Sequence, residues 1–281
     1  LILSAGTRDK VVQYFKEALA GKGKVIATDC SPYAPAIYEA DEYVLVPRIT
    51  EPGYLDKILE ICREKQITGV LSLIDPELSL LADNKERFLE VGTVPIVPDA
   101  KQVDICFHKY AMYEACKALG FATGRCFLDR KEFYQAVENG ELTYPVFVKP
   151  ESGSASLDIH MAQDQETVEF LCSREDGLMI QEFMNGQEYG ADVYIDMLSG
   201  EVVSIFVKKK LKMRAGETDK AESFREEKLF ALITDFVKKM GFRGIIDIDL
   251  FEIDGNWYIS EVNPRFGGGY PHAWACGVRV P

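Results

Sequence analysis

Glu261, Asn263 and Arg265 stand two residues apart in GNWYISEVNPRFGGG, at the end of a run from Trp257 to Val262 that reads as a strand. At strand period the three share one face. That face carries two oxygen ligands and a guanidinium, more polar chemistry than ending a strand requires. Upstream, DIDLFEIDGN carries a hairpin turn at Asp254-Gly255, which sets Asp249 across from the Glu261 region. Two carboxylates and an amide oxygen form the hard donor set that magnesium takes, with waters and substrate phosphates completing its shell. Arg265 is then placed for a phosphate or a developing oxyanion. The competing reading is a solvated acidic hairpin, and Asp247 and Glu252 are assigned to it.

A second group lies in PVFVKPESGSAS. Lys149 ends an apolar strand, and the loop Gly153, Ser154, Ala155, Ser156 offers backbone N–H groups and hydroxyls that can close over phosphates beside a lysine charge. In LMIQEFMNGQEYGADVY, Glu182, Phe183 and Met184 end a strand where backbone groups can meet a base edge. Glu188, six residues on, can accept from ribose hydroxyls. Taken alone, each of these is equally a surface loop or hairpin.

The elements around them change character along the chain. Over roughly the first hundred residues, strands such as KVIATDC and GVLSLI alternate with amphipathic helices, which implies a parallel sheet covered on both faces. Ligands at such a sheet sit at the carboxyl-end loops, here Ser4–Arg8, Asp29–Ser31 and Asp75–Glu77. SAGTRD lacks the glycines of a dinucleotide-binding turn. Asp75 reads as the N-cap of a helix running through DPELSLLADNKERFLEVG, and KQVDICFHKYAMYEACKALG as one helix ending at Gly120. Beyond these the pattern is α+β with antiparallel pairs. A formal net charge of −13 excludes a general nucleic-acid or anionic-membrane binder, with KKKLKMR at 208–214 the one local basic stretch. Seven scattered cysteines without C-x-x-C pairs read as reduced thiols in a cytoplasmic protein. No apolar run reaches membrane-spanning length. Homodimerisation is the default expectation for a soluble enzyme.

Together these stretches resemble the ATP-grasp superfamily, in the branch of the carbamoyl-phosphate-synthase large subunit, biotin carboxylase and the carboxylate–amine ligases. The most specific element is D-x11-E-x-N-x-R, here Asp249, Glu261, Asn263 and Arg265. The resemblance implies a Rossmann-like pre-ATP-grasp domain over 1–100, a lobe with the phosphate loop over 101–178 and a lobe with the metal site over 179–281. It implies ATP with two magnesium ions, manganese being an alternative, held by Asp249, Glu261 and Asn263, with Arg265 on the phosphate and the transition state. Lys109 and Lys149 match the family's nucleotide-contacting lysines, and Glu182 and Glu188 its adenine-hinge and ribose acids. KKKLKMRAGETDKA resembles the linker that reaches the active site in amino-acid ligases, which makes Lys210 and Arg214 substrate or phosphate contacts. The implied reaction joins a small-molecule carboxylate to an amine through an acyl phosphate, leaving ADP and phosphate. Carbamoyl-phosphate-type chemistry on bicarbonate, and a nucleotide-binding module with little turnover, are the alternatives. The loop has one glycine, Gly153, where the family's loop is richer, and residues specific to biotin carboxylase are not recognisable.

Overall fold

The computed structural model describes residues 1–153, 158–214 and 217–281. Its first unit is a parallel sheet in the order β3-β2-β1-β4-β5, made of β1 (Ile2–Leu3), β2 (Ile26–Asp29), β3 (Glu42–Leu45), β4 (Gly69–Ser72) and β5 (Val94–Pro95). Helices α1 (Asp9–Leu19), α2 (Tyr54–Glu64), α3 (Asp75–Asp83) and α4 (Lys85–Glu90) connect the strands. Each of α1 and α2 turns one apolar stripe inward, with Val11, Val12 and Tyr14 buried on α1 and Tyr54, Ile58, Leu59 and Ile61 on α2.

Two further sheets follow, both antiparallel. The first has the order β6-β9-β7-β8, from β6 (Cys126–Phe127), β7 (Val146–Pro150), β8 (His160–Ala162) and β9 (Leu178–Glu182). It is preceded by α5 (Ala100–Phe107) and α6 (Lys109–Ala118) and covered by α7 (Arg130–Glu138) and α8 (Gln165–Arg174). The second sheet has the order β12-β11-β10-β13-β14, from β10 (Gln187–Ile195), β11 (Val202–Arg214), β12 (Glu217–Phe224), β13 (Gly244–Ile253) and β14 (Asn256–Asn263). Helix α9 (Glu227–Met240) buries Leu229, Ile233, Phe236 and Val237 against it, and α10 (Tyr270–Ala275) closes the fold. The parallel sheet followed by an α+β part is the architecture the sequence pattern predicts.

Four local expectations are corrected. The single helix expected after Asp75 is two, broken at Asn84, and Asp75 is its first helical residue rather than its cap; the Asp75 carboxylate is engaged elsewhere, as described below. The helix expected to end at Gly120 breaks at His108, which leaves helical geometry to bridge Ser152. ETDKA, the end of the stretch read as linker, lies in the edge strand β12, whose alternation is masked by charged residues on both faces. The local basic stretch dissolves as well. Lys208 is buried against Asp192 at 2.6 Å, Lys210 is buried between two acids, and Lys212 and Arg214 lie beside Asp219.

The first unit is fastened to the segment after β14 by a shared apolar core in which Tyr14 stacks on Trp274 at 4.1 Å and Phe15 meets Phe266 edge-on. Behind α3, Glu77 is fully buried and accepts from Ser4 Oγ at 2.6 Å, Ser72 Oγ at 2.5 Å and Tyr54 OH. This network ties β1, β4 and α2 to the helix that carries Asp75. Glu77→Ala, which strands three hydroxyls, is expected to lower stability by about 3 kcal/mol in urea melts. Burial raises the Glu77 carboxyl above its ordinary 4.5, with the hydroxyl donors opposing. The folded protein therefore keeps a proton that the unfolded chain loses, so this contribution is complete below about pH 4.5 and is lost as pH rises through the folded value. Wild-type stability should fall over that window relative to Glu77→Gln.

Candidate active site

The β13–β14 hairpin delivers the predicted constellation. Its register pairs Asp249 with Glu261 and Asp247 with Asn263, and a shift between Asp249 and Leu250 leaves Ser260 as an extra, unpaired residue of β14. Glu261 is partly exposed and faces two adjoining cavities. One is lined by Lys109, Lys149, Cys126 and Gln181 across from it, the other by Asp75, Phe107, Gly153 and Asn263. Each has about 10 Å³ of free volume, roughly the room one water needs.

Arg265 is held from three sides. Its Nε and Nη2 donate to Asp75 Oδ2 at 3.2 and 3.0 Å, Nη2 also to Asn263 Oδ1 at 3.0 Å, and Nη1 to its own neighbour's carbonyl, Phe266 O, at 3.2 Å. Asp75 and Arg265 are only 11% and 12% exposed, so this ion pair joins the parallel-sheet unit to the hairpin out of bulk water. Nothing in the local sequence around either residue signals the pair. The same contact explains why Asp75 does not cap α3.

The two lysines stand opposite. Lys149, at the end of β7, is 8% exposed, and burial holds its ammonium below the ordinary lysine range while Glu261 pulls the other way. Lys109 has the same balance, burial first and Glu261 opposing. Its Nζ donates to Gly153 O at 2.8 Å, and Gly153 N donates to Phe107 O at 3.2 Å. His108 Nδ1 lies 2.8 Å from Glu151 Oε2. The break at His108 thus anchors the root of the loop that follows Glu151. Gly153 is its last described residue on that side; Ser154, Ala155 and Ser156 lie outside the described residues. Asp158, on the far side, is exposed.

Glu182 Oε2 accepts from Arg125 N at 2.9 Å, and Glu182 N donates to Arg125 O at 2.8 Å, which clips β9 to the segment before β6. Phe183 packs on Phe147 with ring centroids 5.5 Å apart. Met184 is buried and its carbonyl accepts from Gly186 N. Glu188 accepts from Lys210 Nζ at 2.7 Å, and the same Nζ donates to Asp249 Oδ1 at 2.6 Å. The structure therefore brings Lys210 into the constellation. Arg214, by contrast, is 79% exposed at the end of β11, its Nε 3.9 Å from Asp219 Oδ1. Asp29 is a structural residue: its carboxylate accepts from Gly6 N and Ser31 N at 2.9 Å each.

The donor set suits magnesium. Asp249, Glu261 and Asn263 supply oxygens from adjacent strands, and a metal that arrives on phosphates needs few protein ligands. No group of three or more His, Cys, Asp or Glu placed to hold a metal occurs among the described residues, which sets this site apart from an all-protein cage. Thiol chemistry is disfavoured at both cavities. Burial pushes the Cys126 thiol up to about 12 and Cys106 well above its ordinary value, so neither is a ready thiolate.

The α+β part sets two buried or half-buried lysines on one side of these cavities against an acid–amide set on the other, a pattern of charges suited to a metal-bound phosphate. Residues 106–269, more than half of the chain, match the family model for the ATP-grasp domain, and the protein belongs to that family. Residues 1–97 match the model for the PylC-like N-terminal domain. Among sequence relatives, the D-alanine--D-alanine ligase of Ruminiclostridium cellulolyticum is 27% identical over 178 residues, 53% of this chain and 47% of the relative. The arginine-specific carbamoyl phosphate synthase large chain of Geobacillus stearothermophilus is 23% identical over 228 residues, 76% of this chain and 21% of the relative. The chain thus spans about half the length, or less, of these relatives. The N5-carboxyaminoimidazole ribonucleotide synthetase of Thermotoga maritima superposes with a TM-score of 0.73 at 19% identity, covering 97% of this chain and 70% of that one. The L-amino acid ligase of Bacillus licheniformis gives 0.71 at 19%, covering 97% and 68%. At such identities the structural likeness speaks to fold alone. No helix among the described residues is long and apolar enough to cross a membrane.

Proposed function

We propose that this protein is an ATP-dependent carboxylate–amine ligase that works through an acyl phosphate. The observation that carries the reading is the convergence on Glu261: Lys109 and Lys149 face it from one lobe, while Asp249, Asn263 and Arg265 flank it on the other. On this reading residues 1–100 form the pre-ATP-grasp domain, and 101–178 and 179–281 the lobes that clasp the nucleotide. Magnesium, when bound by Asp249, Glu261 and Asn263, neutralises charge across the β- and γ-phosphates. Lys149 and Lys109 hold the phosphates as point charges, and their burial leaves them unscreened. Glu182 to Met184 meet the adenine edge and Glu188 the ribose. A substrate carboxylate oxygen then bonds to the γ-phosphorus as the bond to ADP breaks. Arg265, oriented by Asp75, steadies the charge that develops. Amine attack on the acyl carbon expels phosphate and gives the amide, the amine's proton passing to phosphate or solvent. The closed cleft excludes water that would hydrolyse the intermediate. The carboxyl-end loops of the parallel sheet supply the substrate wall.

Nucleotide products resolved by chromatography test the proposal, with Mg-ATP and pooled amino acids and small carboxylates as substrates. ADP formed only with a carboxylate and an amine together is the expected result. ADP that requires bicarbonate alone would move the protein to carbamoyl-phosphate-type chemistry. AMP with pyrophosphate would overturn the mechanism.

A further inference from the structure

Lys210 belongs to a basic run, yet its side chain is only 6% exposed. It reaches Glu188 on the neighbouring β10 and Asp249 on β13 beyond it, with Nζ 2.7 Å from Glu188 Oε1 and 2.6 Å from Asp249 Oδ1. Gly190 makes the crossing possible. It pairs with Asp249 on one side and Lys208 on the other, and a Cβ there would stand 3.3 Å from Lys210 Cε and 3.0 Å from Lys208 Cε. A side chain at position 190 would therefore crowd the path that Lys210 takes. Asp249 is one of the two carboxylates assigned to magnesium, while Glu261, the other, has no such cation on it in any described contact. A divalent ion on Asp249 Oδ1 would sit within a few ångströms of the ammonium, where like charges in a poorly hydrated site repel strongly.

We propose that Lys210 is a place-holder cation: it closes Asp249 to divalent metal until the phosphates of a nucleotide draw the ammonium off, so that metal enters with the nucleotide and not before it. This rests on the metal-site reading given above. A polyphosphate offers Lys210 a stronger anionic partner than Glu188 and Asp249 share between them, and departure of the lysine leaves Asp249 an unpaired carboxylate facing the incoming ion. Nucleotide and metal affinities are then linked, each raising the other by the same factor.

Manganese binding, read from the EPR signal of free Mn2+, tests this without any turnover. In the absence of nucleotide, Lys210→Gln is expected to bind Mn2+ at least about tenfold more tightly than wild type. Lys210→Arg, which still bridges both acids, should behave as wild type. Adding ADP should tighten Mn2+ binding to wild type by a similar factor and to Lys210→Gln by much less. Melting with Mg2+ alone reads the same effect within the unfolding transition, so a loss of stability in Lys210→Gln does not obscure it. There Mg2+ should raise the melting temperature of the variant and leave wild type unmoved. Equal nucleotide-free affinity in wild type and Lys210→Gln, with ADP-dependent Mn2+ binding intact, would overturn the place-holder and leave the metal site standing. Absence of Mn2+ binding to every form even with ADP would overturn the metal site, and the place-holder with it.

Discussion

Glu261→Ala is expected to lower magnesium-dependent ADP formation by about 10³-fold or more, with an unchanged circular-dichroism spectrum and a melting temperature close to wild type. The carboxylate faces both cavities. It is partly exposed, and its removal breaks no described hydrogen bond or ion pair. Two consequences separate this outcome from a general loss of function. Nucleotide should still bind through Lys109 and Lys149, because those lysines belong to the other wall. The same two lysines lose the charge that holds their ammonium groups up against burial, so the pH above which nucleotide binding weakens should move down. Near-wild-type turnover in this variant would refute the metal assignment.

Arg265→Ala should cost turnover and stability together. A guanidinium that steadies phosphoryl-transfer charge contributes about 10³-fold or more. Its loss also leaves Asp75, 11% exposed, without its cation at the junction between the parallel-sheet unit and the β13–β14 hairpin, a cost of about 2 kcal/mol. Arg265→Lys restores the charge but not the fork that reaches Asp75 and Asn263 at once. It should regain most of the stability in urea melts and little of the rate. Full recovery of rate by lysine would show that Arg265 acts only as a charge.

Much of the site was legible because it is local. Glu261 and Asn263 lie on one strand, Arg265 two residues past its end, and Asp249 one short hairpin away, so alternation and a Gly turn suffice to bring them near one another. Lys149 at a strand end before a small-residue loop was legible for the same reason. What failed was local as well, in a different way. The breaks at Asn84 and His108 carry no Pro or Gly to announce them, and β12 carries charges where a half-buried strand would show apolar alternation.

The sequence by itself determined most of the order of elements, the parallel-then-antiparallel architecture and the acid–amide face with its nearby guanidinium, since each depends on periodicity and turn chemistry within about twenty residues. Only the tertiary structure decided who neutralises whom. Asp75 finds Arg265 across 190 positions, and Lys210 reaches Asp249 across 39. Glu77 gathers Ser4, Tyr54 and Ser72 from three separate elements. The reason is electrostatic: a charge taken out of water must be matched wherever the packed chain places a partner, and no spacing rule along one strand or helix encodes where that is.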